Sequence, residues 1–283
     1  MSVITELKYS STNTYLIEGD RGSILFDTGW AGTLGAFCRA MGEKSKKVQN
    51  IDYVLISHFH PDHMGICQEI SEMGPVILII DLQREYVHSS DYILSRDSGL
   101  GFKPLIDENI RSISLEDSRD FLKNLGIDGQ IYHTPGHSDD SISLWLDQGI
   151  LFVGDLNPLY ELESHKGTLI YDTWQRLLSL KPKKIYYGHA NPSVPEIKDL
   201  YYGHADFAVP EVKDLSEKSE KNKDLYGLVS KIIKYIDRGY SMSRIQKKTG
   251  ADNQLIEDVN RMYLTHQNVG VQGILDRIEI KGK

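Results

Sequence analysis

Short apolar runs alternate with helically spaced segments over the first two thirds of the chain. "NTYLIEG" and "GSILFDTG" read as two strands around the turn "GDRG". "TLGAFCRAMGEKSKK" reads as a helix. "IDYVLIS" is apolar and β-branched, which predicts a buried strand running up to His58. "MGICQEISEMG" has helical spacing closed by a glycine, and "PVILII" is another buried strand. Residues 82–108 carry tyrosine, serine and glycine with weak periodicity, and are expected to form a helical or irregular insertion over a site. Beyond them, "SRDFLKNLGI" predicts a short helix, and "GQIYHTP", "SISLWLD" and "GILFVGD" three strands. "YDTWQRLLSLKP" then reads as a helix and "KKIYYGH" as a strand. Strands and helices in this alternation favour sheets covered by helices on their outer faces.

The pattern changes from residue 225. "LYGLVSKIIKYIDRG", "SMSRIQKKTGA" and "DNQLIEDVNRMYLTHQ" each have helical spacing. The last two, joined by "TGADN", fit a helix-turn-helix, and "VGVQGILDRIEIKGK" fits a short wing. One repeat stands out: "YYGHANPSVPEIKDL" (186–200) is followed at once by "YYGHADFAVPEVKDL" (201–215), with 11 of 15 positions identical. Two copies are too few for a solenoid, so this reads as a local tandem duplication.

Charge sharpens the division. The net charge is −8, but residues 216–283 carry +4 and residues 1–215 carry −12. The polar, charge-mixed stretch "SEKSEKNKD" (216–224) is linker-like. A main domain over 1–215 and a helical appendage over 216–283 are therefore expected. The small basic excess favours a packing appendage over a nucleic-acid reader, and the overall acidity disfavours nucleic acid as a partner. A length of 283 residues suits one large domain with an appendage. With Cys38 and Cys67 the only cysteines, a disulfide framework is excluded and a reducing cytoplasm fits. No apolar run approaches the ~20 residues of a membrane helix. The first residues show no basic-then-apolar leader pattern, so no secretory signal and no membrane partner are expected.

The chemistry concentrates in "YVLISHFHPDHMGICQEI" (53–70), which places His58, His60, Asp62 and His63 within six positions. Imidazole and carboxylate are zinc ligands. His58 and His60 are alternate residues, so in an extended chain both rings point to one side. Pro61 ends the strand, and the adjacent Asp62 and His63 diverge as the next helix opens. Two ligand pairs in one turn suit a two-metal site better than one closed tetrahedral site. Further ligand types stand at the ends of strand-like runs: His137 in "TPGH", Asp155 in "ILFVGD" and His189 in "KKIYYGH".

HFHPDH, TPGH, the GD after "ILFV", the GH after "KKIYY" and "ILFDTG" together resemble the metallo-β-lactamase superfamily, in motif order over about residues 1–192. The resemblance implies an α/β fold, a four-layer αβ/βα sandwich with a dinuclear site at the edge between two sheets, here with a C-terminal helical extension. It also implies that His58, His60 and His137 hold one metal and that Asp62, His63 and the last histidine hold the second. Asp155 would bridge the two. Asp27 would accept a hydrogen bond from a ligand imidazole. The duplicated segment departs from the family, because His189 and His204 share the context "YYGHA". His189 is preferred, since it follows a helix-to-strand unit that delivers it to the sheet edge. His133, His165, His88 and His266 are expected to be structural.

The function that follows is a dinuclear metal-dependent hydrolase, with Asp62 and Asp155 as its catalytic carboxylates. A metal-bridging hydroxide would attack a small-molecule ester, thioester or lactone. The cofactors are two divalent ions, zinc first, with iron or manganese as alternatives. A metal-dependent nuclease or phosphodiesterase, and a non-catalytic metal-binding sensor, are the competing readings. Tyr86, Tyr92 and Phe102 are expected to line an apolar substrate pocket, and Tyr160 to donate to a carbonyl oxygen. Oligomeric state, a homodimer included, is left open.

Overall fold

The structure is a computed structural model and describes residues 2–96, 98–195, 219–238 and 240–265. The chain divides into two compact units, residues 1–204 and 205–283.

The first unit is built on two sheets. Six strands, β1 (Val3–Leu7), β2 (Thr14–Glu18), β3 (Ser23–Phe26), β4 (Tyr53–Leu55), β5 (Val76–Ile80) and β6 (Ile110–Ile113), lie side by side in chain order. β1, β2 and β3 pair antiparallel, and from β3 to β6 every pairing is parallel. The second sheet has the order β10 (Lys184–Tyr186), β9 (Ile150–Phe152), β8 (Ile142–Leu146), β7 (Gly129–His133). Only its β9–β10 pairing is parallel.

Alternation along the strands assigns the layers. Ile24 and Phe26 of β3, Leu55 of β4, and Leu78 and Ile80 of β5 join Ile142, Leu144 and Leu146 of β8 and Phe152 of β9 in one core between the sheets. Leu25, Val54, Ile77 and Ile79 point the other way, into a core with Phe37, Ala40 and Met41 of α1 (Leu34–Glu43). On the far side, Trp145, Leu151 and Ile185 pack with Trp174, Leu177 and Leu178 of α6 (Leu169–Ser179). Helix, sheet, sheet, helix is the resulting layer order. The inner strands read as unbroken apolar runs because both of their faces are buried. Each large side chain so buried contributes about 1.5–3 kcal/mol.

Between these elements stand four short helices: α2 (Pro61–Met64), α3 (Cys67–Ser71), α4 (Asp91–Ser95) and α5 (Ser118–Asn124). Two readings need correction. The strand before the histidines ends at Leu55, three residues short of His58. The helix read from "MGICQEISEMG" is split at Gly65, whose N–H donates to Gly29 O at 2.8 Å. A β-carbon at Gly65 would lie 2.2 Å from Ala31 N, so the chain passes too close there for any other residue. Strands β1 and β6 were not read from the sequence. Both are edge strands with mixed polarity and partial burial, which leaves a weak pattern. Residues 82–96 and 98–108 form short helical turns and irregular chain.

The second unit contains α7 (Ser219–Asp237), α8 (Met242–Thr249) and α9 (Asn253–Thr265) around Val229, Ile232, Ile245, Ile256 and Val259. Gly250 closes α8 in the left-handed conformation, φ 71°. The proposed wing, His204, His266 and the second repeat copy lie outside the described residues. Among the described residues, no helix is long and apolar enough to cross a membrane.

Candidate metal centre

The ends of β3, β4, β7, β9 and β10 converge at one edge of the two sheets, and the loops leaving them carry the candidate ligands. His58 lies in a bend just after β4, and His60 two residues further on. His60 is extended (φ −77°, ψ 152°) as it enters α2, which opens on Pro61. Pro61 suits that first helical position, where its missing N–H is not needed. Asp62 and His63 occupy the same helical turn and are fully buried, as is His58. His137 sits in the loop between β7 and β8, in contact range of the others because Gly136 takes φ 138°. Asp155 follows β9, and His189 follows β10.

These seven residues fall into two sets, His58, His60 and His137, and Asp62, His63, Asp155 and His189, each with its ligand atoms within 4.8 Å of one another. His137 Nε2 lies 3.0 Å from His60 Nδ1, and His63 Nε2 lies 3.2 Å from His189 Nε2. Asp155 stands between the sets. Its Oδ1 is 3.2 Å from both His63 Nε2 and His189 Nε2, and its Oδ2 is 3.7 Å from His137 Nε2. Asp62 Oδ2 lies 3.0 Å from His189 Nε2. Gly188 makes this crowding feasible, since a β-carbon there would sit 2.8 Å from Asp155 Oδ1 and from His63 Cε1.

The outer ring atoms are fixed by neighbours. His63 Nδ1 pairs with Asp27 Oδ2 at 2.9 Å, His189 Nδ1 donates to Ser11 O at 2.8 Å, and His58 Nδ1 meets Ser57 Oγ at 2.9 Å. Asp27 also accepts the Ser57 N–H at 2.7 Å, and takes the strained φ of 62° to reach both. With these outer nitrogens engaged, the inner ones face the centre. His58 Nε2 is buried with no hydrogen-bond partner. Buried polar atoms are rarely left so. An orphaned imidazole nitrogen beside facing ring nitrogens and carboxylates fits a divalent cation. The donors are all nitrogen and oxygen; Cys67 is buried elsewhere and Cys38 is exposed.

Electrostatics of the metal-free centre agree. Burial, reinforced by the neighbouring imidazoles His63, His60 and His137, holds His58 well below the usual histidine value. Burial opposes charge on His63 too, yet Asp155, Asp27 and Asp62 outweigh it and push it well above that value. Asp62 and Asp155 overcome their own burial through the adjacent histidines and stay below the usual carboxylate range. The carboxylates around His63 thus set the second set apart from His58, which burial and the neighbouring imidazoles hold low.

Several contributors were not read from the sequence. The carboxylate of Asp140 accepts the Phe59 N–H at 2.7 Å, between His58 and His60. The Gln83 side chain donates to Ile56 O at 3.0 Å and Asp140 O at 3.1 Å and accepts from Ile80 N at 3.1 Å. It thereby ties the β4 end, the β5 end and the His137 loop together. For Asp140 the signal was available, as a polar run directly after TPGH; for Gln83, inside a weakly patterned insertion, it was not. Of the remaining histidines, His133 donates from Nε2 to Asp139 O at 2.8 Å, and His88 lies between Asp91 and Asp107. Tyr86 and Phe102 pack on the helix-side core, while Tyr92 and Tyr160 are 72% and 68% exposed.

The family model "Metallo-beta-lactamase superfamily" matches residues 8–189. The chain belongs to the metallo-β-lactamase superfamily. It is 26% identical over 187 residues to a Drosophila melanogaster protein named Beta-lactamase-like protein 2 homolog, covering 64% of this chain and 59% of that one. It is 27% identical over 150 residues to an Atrochrysone carboxyl ACP thioesterase of Aspergillus terreus, covering 51% of this chain and 38% of the other. The chain thus spans well under two thirds of either relative. Among solved structures, the archaeal superfamily protein ST1585 from Sulfolobus tokodaii superposes with a TM-score of 0.52 at 18% identity, over 75% of this chain and 90% of its own. That likeness establishes the shared fold.

Proposed function

We propose that the protein is a metal-dependent hydrolase of a small-molecule ester, thioester or lactone, with two divalent ions at the centre described above. The observation that carries this reading is the convergence of seven imidazole and carboxylate side chains in two sets, with Asp155 of the second set also 3.7 Å from His137 of the first. His58, His60 and His137 would hold one ion and Asp62, His63 and His189 the other, with Asp155 presenting one oxygen to each. Ions bound there would make a shared water nucleophilic near neutral pH and polarise the scissile carbonyl. The chain's own part is orientation. Asp27 holds the proton of His63 on Nδ1 and Ser11 O holds that of His189 on Nδ1, so both Nε2 lone pairs face inward. The carboxylates of Asp62 and Asp155 supply the negative charge the cations need.

Imidazole and carboxylate donors accept zinc, iron or manganese, and zinc is proposed first. Thioesters are favoured among the acyl substrates because the fungal relative is named as an acyl-carrier thioesterase. The scarcity of cysteine supports a cytoplasmic location. A screen of the metal-replete protein across thioesters, lactones, β-lactams and phosphodiesters tests the reading. Turnover of an acyl substrate that stops on chelation and returns with metal is expected. Activity on phosphodiesters alone, or inertness on every class, would overturn it.

A further inference from the structure

The polar segment Ser11-Thr12-Asn13, between β1 and β2, touches two candidate ligands that reach the centre from opposite sheets. Thr12 is fully buried, and its hydroxyl donates to Asp62 O in α2. The rest of the segment grips the turn after β10. Asn13 N–H donates to Gly188 O at 2.7 Å. The Asn13 side-chain amide donates to Tyr187 O and to Ala190 O, both at 3.0 Å. Tyr15 OH donates to Tyr187 O at 2.7 Å, and Ser11 O accepts the His189 Nδ1 proton at 2.8 Å. Three carbonyls around His189, those of Tyr187, Gly188 and Ala190, are thus bonded to one short segment, as is the outer nitrogen of its ring.

We infer that Asn13 is a positioning residue that seats His189 for the second metal set, acting through the 187–190 turn and not through contact with metal or substrate. The inference rests on the metal assignment proposed above. The physical reason lies in the donor count. A primary amide has two N–H groups, and here each meets one carbonyl on either side of His189. With both satisfied, the turn cannot rotate His189 away from Asp62 and Asp155 without breaking a hydrogen bond. The β9–β10 ladder ends at Tyr186, and beyond it the Gly188 N–H donates to Gly154 O at 2.7 Å, so the Asn13 amide adds to that backbone tie by holding the carbonyls on either side of His189. His58, His60 and His137 receive none of these bonds, which predicts an effect confined to one ion.

The test is metal titration of the full-length protein with zinc alone, and with cobalt for its ligand-field spectrum. The variants are Asn13→Ala and Asn13→Asp. Asp keeps the shape but replaces both donors with an oxygen that faces carbonyl oxygens. Loss of such an outer partner lowers metal affinity by about 10–100-fold. The expected result is that loss for the second ion only in both variants, with an altered cobalt spectrum at that site. If Asn13→Ala does not accumulate as folded protein, Tyr15→Phe removes a different donor to the same turn and should weaken the second ion several-fold. Affinities equal to wild type, or equal losses at both ions with a lowered melting temperature in chelator, would overturn the inference. Failure of the wild type to bind two ions would instead overturn the metal assignment.

Discussion

Single atoms decide what each ligand residue contributes. Asp155 turns its two oxygens to different sets, whereas Asp62 stands within the second set alone. Asp155→Ala is therefore expected to lose more activity than Asp62→Ala, because the first change disturbs both ions and the second leaves one seated. Rates measured at matched metal content check this, and equal losses would count against a bridging role. His189 is the other decisive residue. It stands 3.0 Å from Asp62 and 3.2 Å from Asp155, while its duplicate His204 lies outside the described residues. His189→Ala should empty or weaken the second set, and His204→Ala should leave metal content and rate nearly unchanged. Metal analysis of the two single variants reads the difference, and the reverse pattern would reassign the ligand to His204.

At the level of elements, the centre depends on loops that the sheets bring to one edge, held there by contacts between neighbouring elements. A contact between neighbouring elements at the far end of β8 lies on the surface. Arg119 of α5 donates twice to Asp147 after β8, at 2.8 and 3.2 Å. Both side chains are more than two fifths exposed, so the pair is worth at most about 1 kcal/mol. The Arg119 hydrogen bond holds the Asp147 carboxyl below its usual value. A lowered carboxyl stabilises the fold above its unfolded value of about 3.9 and loses that contribution as pH falls through the folded value. Arg119→Ala should therefore lower stability slightly at pH 7. Its difference from wild type should shrink in acid and at high salt, as read by denaturant titration. A difference that persists unchanged below pH 3 would mean that packing, not charge, links α5 to the sheet.

For the molecule as a whole, the two units each have their own apolar core: three clusters in the first, and one formed by α7, α8 and α9 in the second. The proposed boundary at residues 215 and 216 predicts that a chain ending at residue 215 folds and binds two ions. Metal content and the melting transition test it, and aggregation of the shortened chain would show that the helical unit is needed for stability. What the sequence determined by itself is local. The apolar runs marked the inner strands because a strand buried on both faces must be apolar throughout. The spacing of His58, His60, Asp62 and His63 marked the chemistry because four donors in one turn have few other uses. Strands β1 and β6 escaped because their half-buried residues of mixed polarity leave no apolar run. Only the tertiary structure decided the rest. It set Asp155 between the two sets, turned Asp27 onto His63, and drew Ser11, Asn13 and Gln83 to the centre. Those contacts join residues as far apart as Asn13 and Ala190. Such pairs form only when two sheets stack and their ends meet, and spacing along the chain does not encode that meeting.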